Sequence, residues 1–164
     1  MWKLALISTL LLPLAAHAAD APSVYVDPSV PQSPRPMESQ TRTAVVRDYL
    51  QSWKTLQTAF EQNRTDLLNA DFVGGALKTL DNTIRAQSAL GITTRYDDLS
   101  HRLQIVYYSP EGLSIELIDR VSYTVQVFDH GRPVARRQEH ARYIVVMTPS
   151  QVRWRTRIFE ANPA

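Results

Sequence analysis

The sequence predicts an α+β domain in which three N-terminal helices pack on a curved, four-stranded antiparallel sheet. Apolar residues recur at three- and four-residue steps up to Leu90, then alternate with polar ones from Leu99 onward. The alternating part is divided by turn-forming clusters at residues 109–112, 129–133 and 148–151. One long segment, residues 113–127, carries Leu113, Ile115, Leu117, Asp119, Val121, Tyr123, Val125 and Val127 at its odd positions. Its even positions are mostly polar, so it reads as a strand with one buried face. Asp119 alone interrupts that face.

Taken in order, residues 1–18 read as a secretory signal peptide. One Lys precedes a short apolar run, and Ala16-His17-Ala18 supplies the small residues of a cleavage site. The apolar run is shorter than the roughly 20 residues a membrane-crossing helix needs, so no stable membrane span is expected. The expected location is periplasmic or secreted. Residues 19–38 hold five prolines and little apolar periodicity, which predicts an extended, flexible leader. Residues 39–161 form the domain. With no Cys, it must hold its fold by packing alone, without disulfides or thiolate metal sites. No cofactor is expected. A formal net charge of +2 does not point to nucleic acid.

The first helix starts near Ser39 and ends near Asn63, with Val46, Tyr49, Leu50, Trp53, Leu56 and Phe60 on one side. Arg47, Asp48, Gln51, Lys54 and Gln57 fill the other. Thr65 or Asp66 caps a short second helix carrying Leu67, Leu68 and Phe72. Gly74-Gly75 breaks it, and a third helix with Leu77, Leu80, Ile84 and Leu90 closes at Gly91. The first strand places Leu99, His101, Leu103, Ile105 and Tyr107 on one face. A third strand spans about 134–147 and a fourth 152–159.

A four-residue turn at 148–151 would set Met147 opposite Val152 and Val145 opposite Trp154. Val152, Trp154, Thr156 and Ile158 then face the core, and Arg153, Arg155, Arg157 and Phe159 face away. With that register, the preceding turn must hold an odd number of residues, or the central strand must contain a bulge.

Residues 44–53, Thr65-Asp-Leu-Leu, Asp71-Phe72, Arg95-Tyr96 and Trp154-Arg-Thr-Arg-Ile158 resemble the nuclear-transport-factor-two-like (cystatin-like) superfamily. Within it, they resemble the intermembrane-space-like domain of plastid and cyanobacterial division proteins. The resemblance covers about residues 42–160. It implies a sheet curled into a cone whose mouth can hold a small apolar ligand, with a carboxylate base in related isomerases and cyclases.

Asp119 is the local candidate for such a base, with Tyr123 and His101 able to contribute a hydroxyl and an imidazole. Tyr49, Trp53, Tyr123 and Trp154 are the candidate pocket residues; in the plainer reading they are core. Asp97, Asp98 and His101 lie together in sequence, but adjacent acids at a strand start more often cap or solvate it, and no metal site is expected.

Arg142, Ile144, Arg153, Arg155, Arg157 and Phe159 mix guanidinium and apolar groups on the second sheet face, as protein interfaces do. The expected function is a non-catalytic binding or scaffolding module that associates with a protein partner, or with a second copy, through this face. The alternative is a small-molecule-binding protein or isomerase-like enzyme with Asp119 as base.

Overall fold

The computed structural model describes residues 21–162. The expected signal peptide lies outside the described residues. Eight elements follow one another: strand β1 (Ser23–Val26), helix α1 (Ser39–Gln62), a 3-10 helix (Thr65–Ala70), α2 (Gly74–Ala89), and strands β2 (Ile92–Tyr108), β3 (Ile115–Asp129), β4 (Arg132–Pro149) and β5 (Trp154–Asn162). The strands form one sheet in the order β1-β2-β3-β4-β5. Among the described residues, no helix is long and apolar enough to cross a membrane.

The sheet has one strand more than the sequence predicts, and it is mixed rather than antiparallel. The extra strand comes from the proline-rich segment, where Ser23–Val26 pair in parallel with Ser100–Leu103 of β2. Proline density argues against ladders, but residues 23–26 contain none, and that is enough for a short edge strand. Beyond it, Gln32 donates its N–H to the Val106 carbonyl, and Ser33 both donates to the Tyr108 carbonyl and accepts the Tyr108 N–H.

Helix α1 buries Val45, Tyr49, Ser52, Trp53, Leu56 and Phe60 in one stripe. Asp48, expected on the wet side, is buried there too. Its Oδ2 accepts the backbone N–H of Trp154 at 2.8 Å, which ties the helix to the start of β5. The expected second helix is a single 3-10 stretch, and Phe72 lies beyond it, fully buried and bridged to Thr156 of β5. Gly74 opens α2 instead of separating helices, with φ at +57°. Gly91, at φ +71°, stands just past the end of α2, as expected.

In the β half, Ile115, Leu117, Asp119, Val121 and Tyr123 of β3 are all buried, so the alternation reads correctly. Leu113 is the exception; it sits before the strand and is exposed. Three irregularities then decide which residues face inward. In β2 the pairing shifts between Asp97 and Ser100, where Asp98 has φ +56°, and again between Ile105 and Tyr107. In β4 the extra residue is Val134, skipped between Pro133 and Ala135. The expected parity correction therefore exists, but it lies in β4 and not in the central strand.

The register of the last hairpin differs from the expected one. Pro149 pairs with Trp154 and Met147 with Thr156, so the turn is made by residues 150–153. The pairing then skips Arg157 and resumes with Ile158 opposite Val146 and Phe159 opposite Val145. A bulge inserts one residue and inverts every side chain after it. Phe159 therefore turns into the core and Ile158 turns out, the reverse of what an unbroken strand predicts.

Candidate functional site

Tyr49 and Trp53 stand one turn apart on the buried stripe of α1, so their side chains meet over the sheet. Beneath them, β3 presents Asp119 inward and β2 presents His101. His101 pairs with Val121, which makes it a diagonal neighbour of Asp119, within reach of a side chain. The four groups form one chain of hydrogen bonds. Trp53 Nε1 donates to the Tyr49 hydroxyl at 2.8 Å, and the Tyr49 hydroxyl donates to Asp119 Oδ2 at 2.8 Å. His101 Nδ1 lies 2.8 Å from the same Oδ2. A carboxylate oxygen only accepts, so Nδ1 carries the proton and Nε2 is left as the free ring nitrogen.

The network is closed to solvent on the carboxylate side: Asp119 and Tyr49 have no exposed surface, and His101 is 2% exposed. Burial, and then the neighbouring Asp119 charge, push the ionisation of Tyr49 well above the usual tyrosine value. Tyr49 is thus a permanent neutral donor. Asp119 Oδ1 has no hydrogen-bond partner among the described residues. An orphaned buried acceptor is uncommon, because burying it unpaired costs about 1–3 kcal/mol. A core selected only for packing would carry an apolar residue here.

On its other side His101 lines a cleft of about 640 Å³ between α1 and the β2–β3 end of the sheet. Its inner wall is Trp53, His101 and Leu99, and Lys54, Tyr96 and Arg136 stand further out. The Asp98 bulge shapes this cleft. It switches the parity of β2, so that Tyr96 points inward, edge-on to Phe60 at 5.6 Å and to Tyr123 at 5.4 Å between ring centroids. The nearby acids and Arg95 are already engaged: Asp97 accepts from Gln126, Asp98 from Thr124, and Arg95 pairs with Glu61. Lys54 and Arg136 make no ion pair among the described residues.

Of the residues singled out from the sequence, the structure brings together Asp119, His101, Tyr49 and Trp53. Tyr123 lies beside them, its hydroxyl 3.5 Å from that of Tyr143. Trp154 does not join them. The aromatic neighbours of Trp53 are His101, Tyr123, Tyr143 and Phe159, whereas Trp154 sits half-buried at the first pair of the β4–β5 hairpin. Asp97 and Asp98 bond across to β3 while His101 turns to Asp119, so those three do not converge.

The expected arginine face is also broken up. Arg153 pairs with the buried Asp71 at 2.8 Å, and Arg155 donates to the carbonyls of Asn69 and Phe72. Phe159 stacks on Tyr143 with centroids 4.4 Å apart. Arg157 lies against Gly74, and only Arg142 and Ile144 remain on the sheet's outer face. Sequence reasoning missed Tyr96, Lys54 and Arg136 as cleft residues. Lys54 was legible as the neighbour of Trp53 on α1, but Tyr96 was hidden by the parity switch at Asp98.

The chain matches no protein-family model, and no curated protein matches it in sequence. Its backbone does match solved structures. The intermembrane space region of the chloroplast protein ARC6 superposes with a TM-score of 0.62 at 17% identity, covering 80% of this chain and all of that one. Aln2 from a Streptomyces species follows at TM-score 0.46 and 14% identity, covering 76% of this chain and 93% of its own. At 17% identity the likeness to the ARC6 region is one of fold. The chain has the fold of the ARC6 intermembrane space region.

Proposed function

We propose that this protein is an extracytoplasmic binding module that holds a small amphipathic molecule in the cleft between α1 and the sheet. The observation that carries the reading is the buried chain Trp53–Tyr49–Asp119–His101, which ends at the cleft wall. A buried carboxylate in an otherwise apolar layer is costly, and here its partners lock the tautomer and orientation of the one residue that separates it from the cleft. His101 then offers the ligand a single fixed polar contact, while Trp53, Leu99 and Tyr96 offer apolar surface. Lys54 and Arg136 supply the free charges further out, so the favoured ligand has a flat apolar body and an anionic end. The volume falls within the range of small-molecule sites.

Two observations support an extracytoplasmic setting: the signal-like N-terminal pattern, and the compartment of the ARC6 region that shares the fold. The sheet-face association expected from the sequence loses support, because Arg153, Arg155 and Phe159 are used inside the chain.

Thermal melts against a panel of aromatic and aliphatic carboxylic acids test the cleft. A saturable rise in melting temperature that is lost in Lys54→Gln and Trp53→Leu supports it; equal shifts in both variants and wild type refute it. The Asp119–His101 pair favours a second reading, acid–base chemistry on the bound molecule, with His101 as the proton-transferring group and Asp119 as its positioning residue. Proton NMR of a bound compound incubated with the protein separates the two: solvent deuterium exchange or a new product indicates catalysis, and an unchanged spectrum indicates binding alone.

A further inference from the structure

The outer face of the sheet, turned away from α1, carries a row of arginines in register. Arg102 of β2 stands directly opposite Arg120 of β3, which stands directly opposite Arg142 of β4. The next outward row on the same three strands is Ser100, Ser122 and His140. These six residues surround a shallow depression of about 360 Å³. Like charges directly opposite on adjacent strands repel, and a sheet normally answers them with an acid. Here it does not. Arg120 and Arg142 make no ion pair among the described residues, and Arg102 only lies over the ring of Tyr25 at 4.8 Å. The acids nearby are Asp27 and Glu160. The Ser29 N–H, and to a smaller degree Arg102, hold the Asp27 carboxyl below its ordinary value. Glu160 stands opposite Ile144, beyond Arg142.

We infer that this depression is an oxyanion site, built for a tetrahedral dianion of the phosphate or sulfate class. Three arginines in register on strands that neighbour one another at about 5 Å can direct their forked donors at one such group. The two serine hydroxyls and the His140 imidazole supply further hydrogen bonds from the next row. Repulsion within the row favours occupancy, because a bound dianion replaces it with attraction. The depression shares no lining residue with the cleft, so it does not depend on the proposed ligand there.

Isothermal titration and thermal melts with sodium phosphate and sodium sulfate, at ionic strength held constant with sodium chloride, test the inference. Wild type is expected to bind one equivalent of either anion and to melt higher in proportion to occupancy. Arg120→Gln and Arg142→Gln should each weaken binding about tenfold, whereas Arg132→Gln, at the far hairpin end, should not change it. Without anion, Arg120→Gln should melt at or above wild type, because it removes the repulsion; this separates lost binding from lost folding. Three results would each overturn the site: phosphate shifting the melt no more than chloride, Arg132→Gln weakening binding as much as Arg120→Gln, or binding seen only to vesicles containing phosphatidic acid and not to the free anion.

Discussion

Asp119 is legible in the sequence as the one carboxylate on an apolar strand face, and Tyr49 and His101 as polar members of two other apolar sets. What alternation does not reveal is that they share one oxygen. Replacing Asp119 by Ala leaves the Tyr49 hydroxyl and the His101 N–H buried without an acceptor, each at about 1–3 kcal/mol. Asp119→Ala is therefore expected to lose about 3–5 kcal/mol of stability in urea titration, and Asp119→Asn, which keeps one acceptor oxygen, to lose less than half of that. The same residues set an alkaline limit. Burial raises the ionisation of Tyr49, Tyr96 and Tyr143 above the unfolded value of 10.0. Protonated tyrosine is thus favoured in the folded state, and the stability it contributes is complete below pH 10 and falls away as pH rises past it. Of the seven tyrosines, these three should develop tyrosinate absorbance only together with loss of the folded circular dichroism signal.

The long helices and the four long strands are written clearly in the hydrophobic period, but β1 and the irregularities of the strands are not. The helix α1 and the inward set of β3 follow directly from spacing. The Asp98, Val134 and Arg157 bulges leave no comparable mark, since a bulge is one residue of ordinary composition that shifts parity. The consequence is largest in β5, where Phe159 and Ile158 exchange faces. Phe159→Ala is expected to cost about 3–4 kcal/mol, as for a large core aromatic, because it removes the stack on Tyr143 and the contact with Trp53. Ile158→Ala should cost less than about 1 kcal/mol, since its side chain faces out. Equal losses in the two, measured by chemical denaturation, would mean that β5 runs without the bulge.

For the molecule as a whole, each edge of the sheet is covered over part of its length by a short segment lying far away in sequence. On one side β1 pairs with β2. On the other, Asp71–Val73 flank β5, with the Thr156 N–H donating to the Asp71 carbonyl at 2.8 Å and the Val73 N–H to the Thr156 carbonyl at 2.9 Å. Uncovered edges invite pairing between chains, so these segments protect as well as stabilise. A chain starting at residue 28 loses β1 and the Asp27 N–H bond to Leu103. At about 1 kcal/mol net for each of roughly three hydrogen bonds, its melting temperature should drop by roughly 6–12 °C. Light scattering should also show association that the longer chain lacks.

The order of the helical half and the four long strands, the stripe of α1 and the inward placement of Asp119 and His101 were determined by local spacing, because within an unbroken strand or helix a residue's face follows from its position. Three things were decided by the tertiary structure alone. The parallel pairing of β1 depends on an edge of β2 that no local pattern announces. The inward turns of Tyr96 in β2 and Phe159 in β5 depend on one-residue insertions that only the partner strand reveals. The meeting of Tyr49 and His101 at one buried oxygen of Asp119, and of Arg102, Arg120 and Arg142 in one row, depends on how distant segments are set against one another.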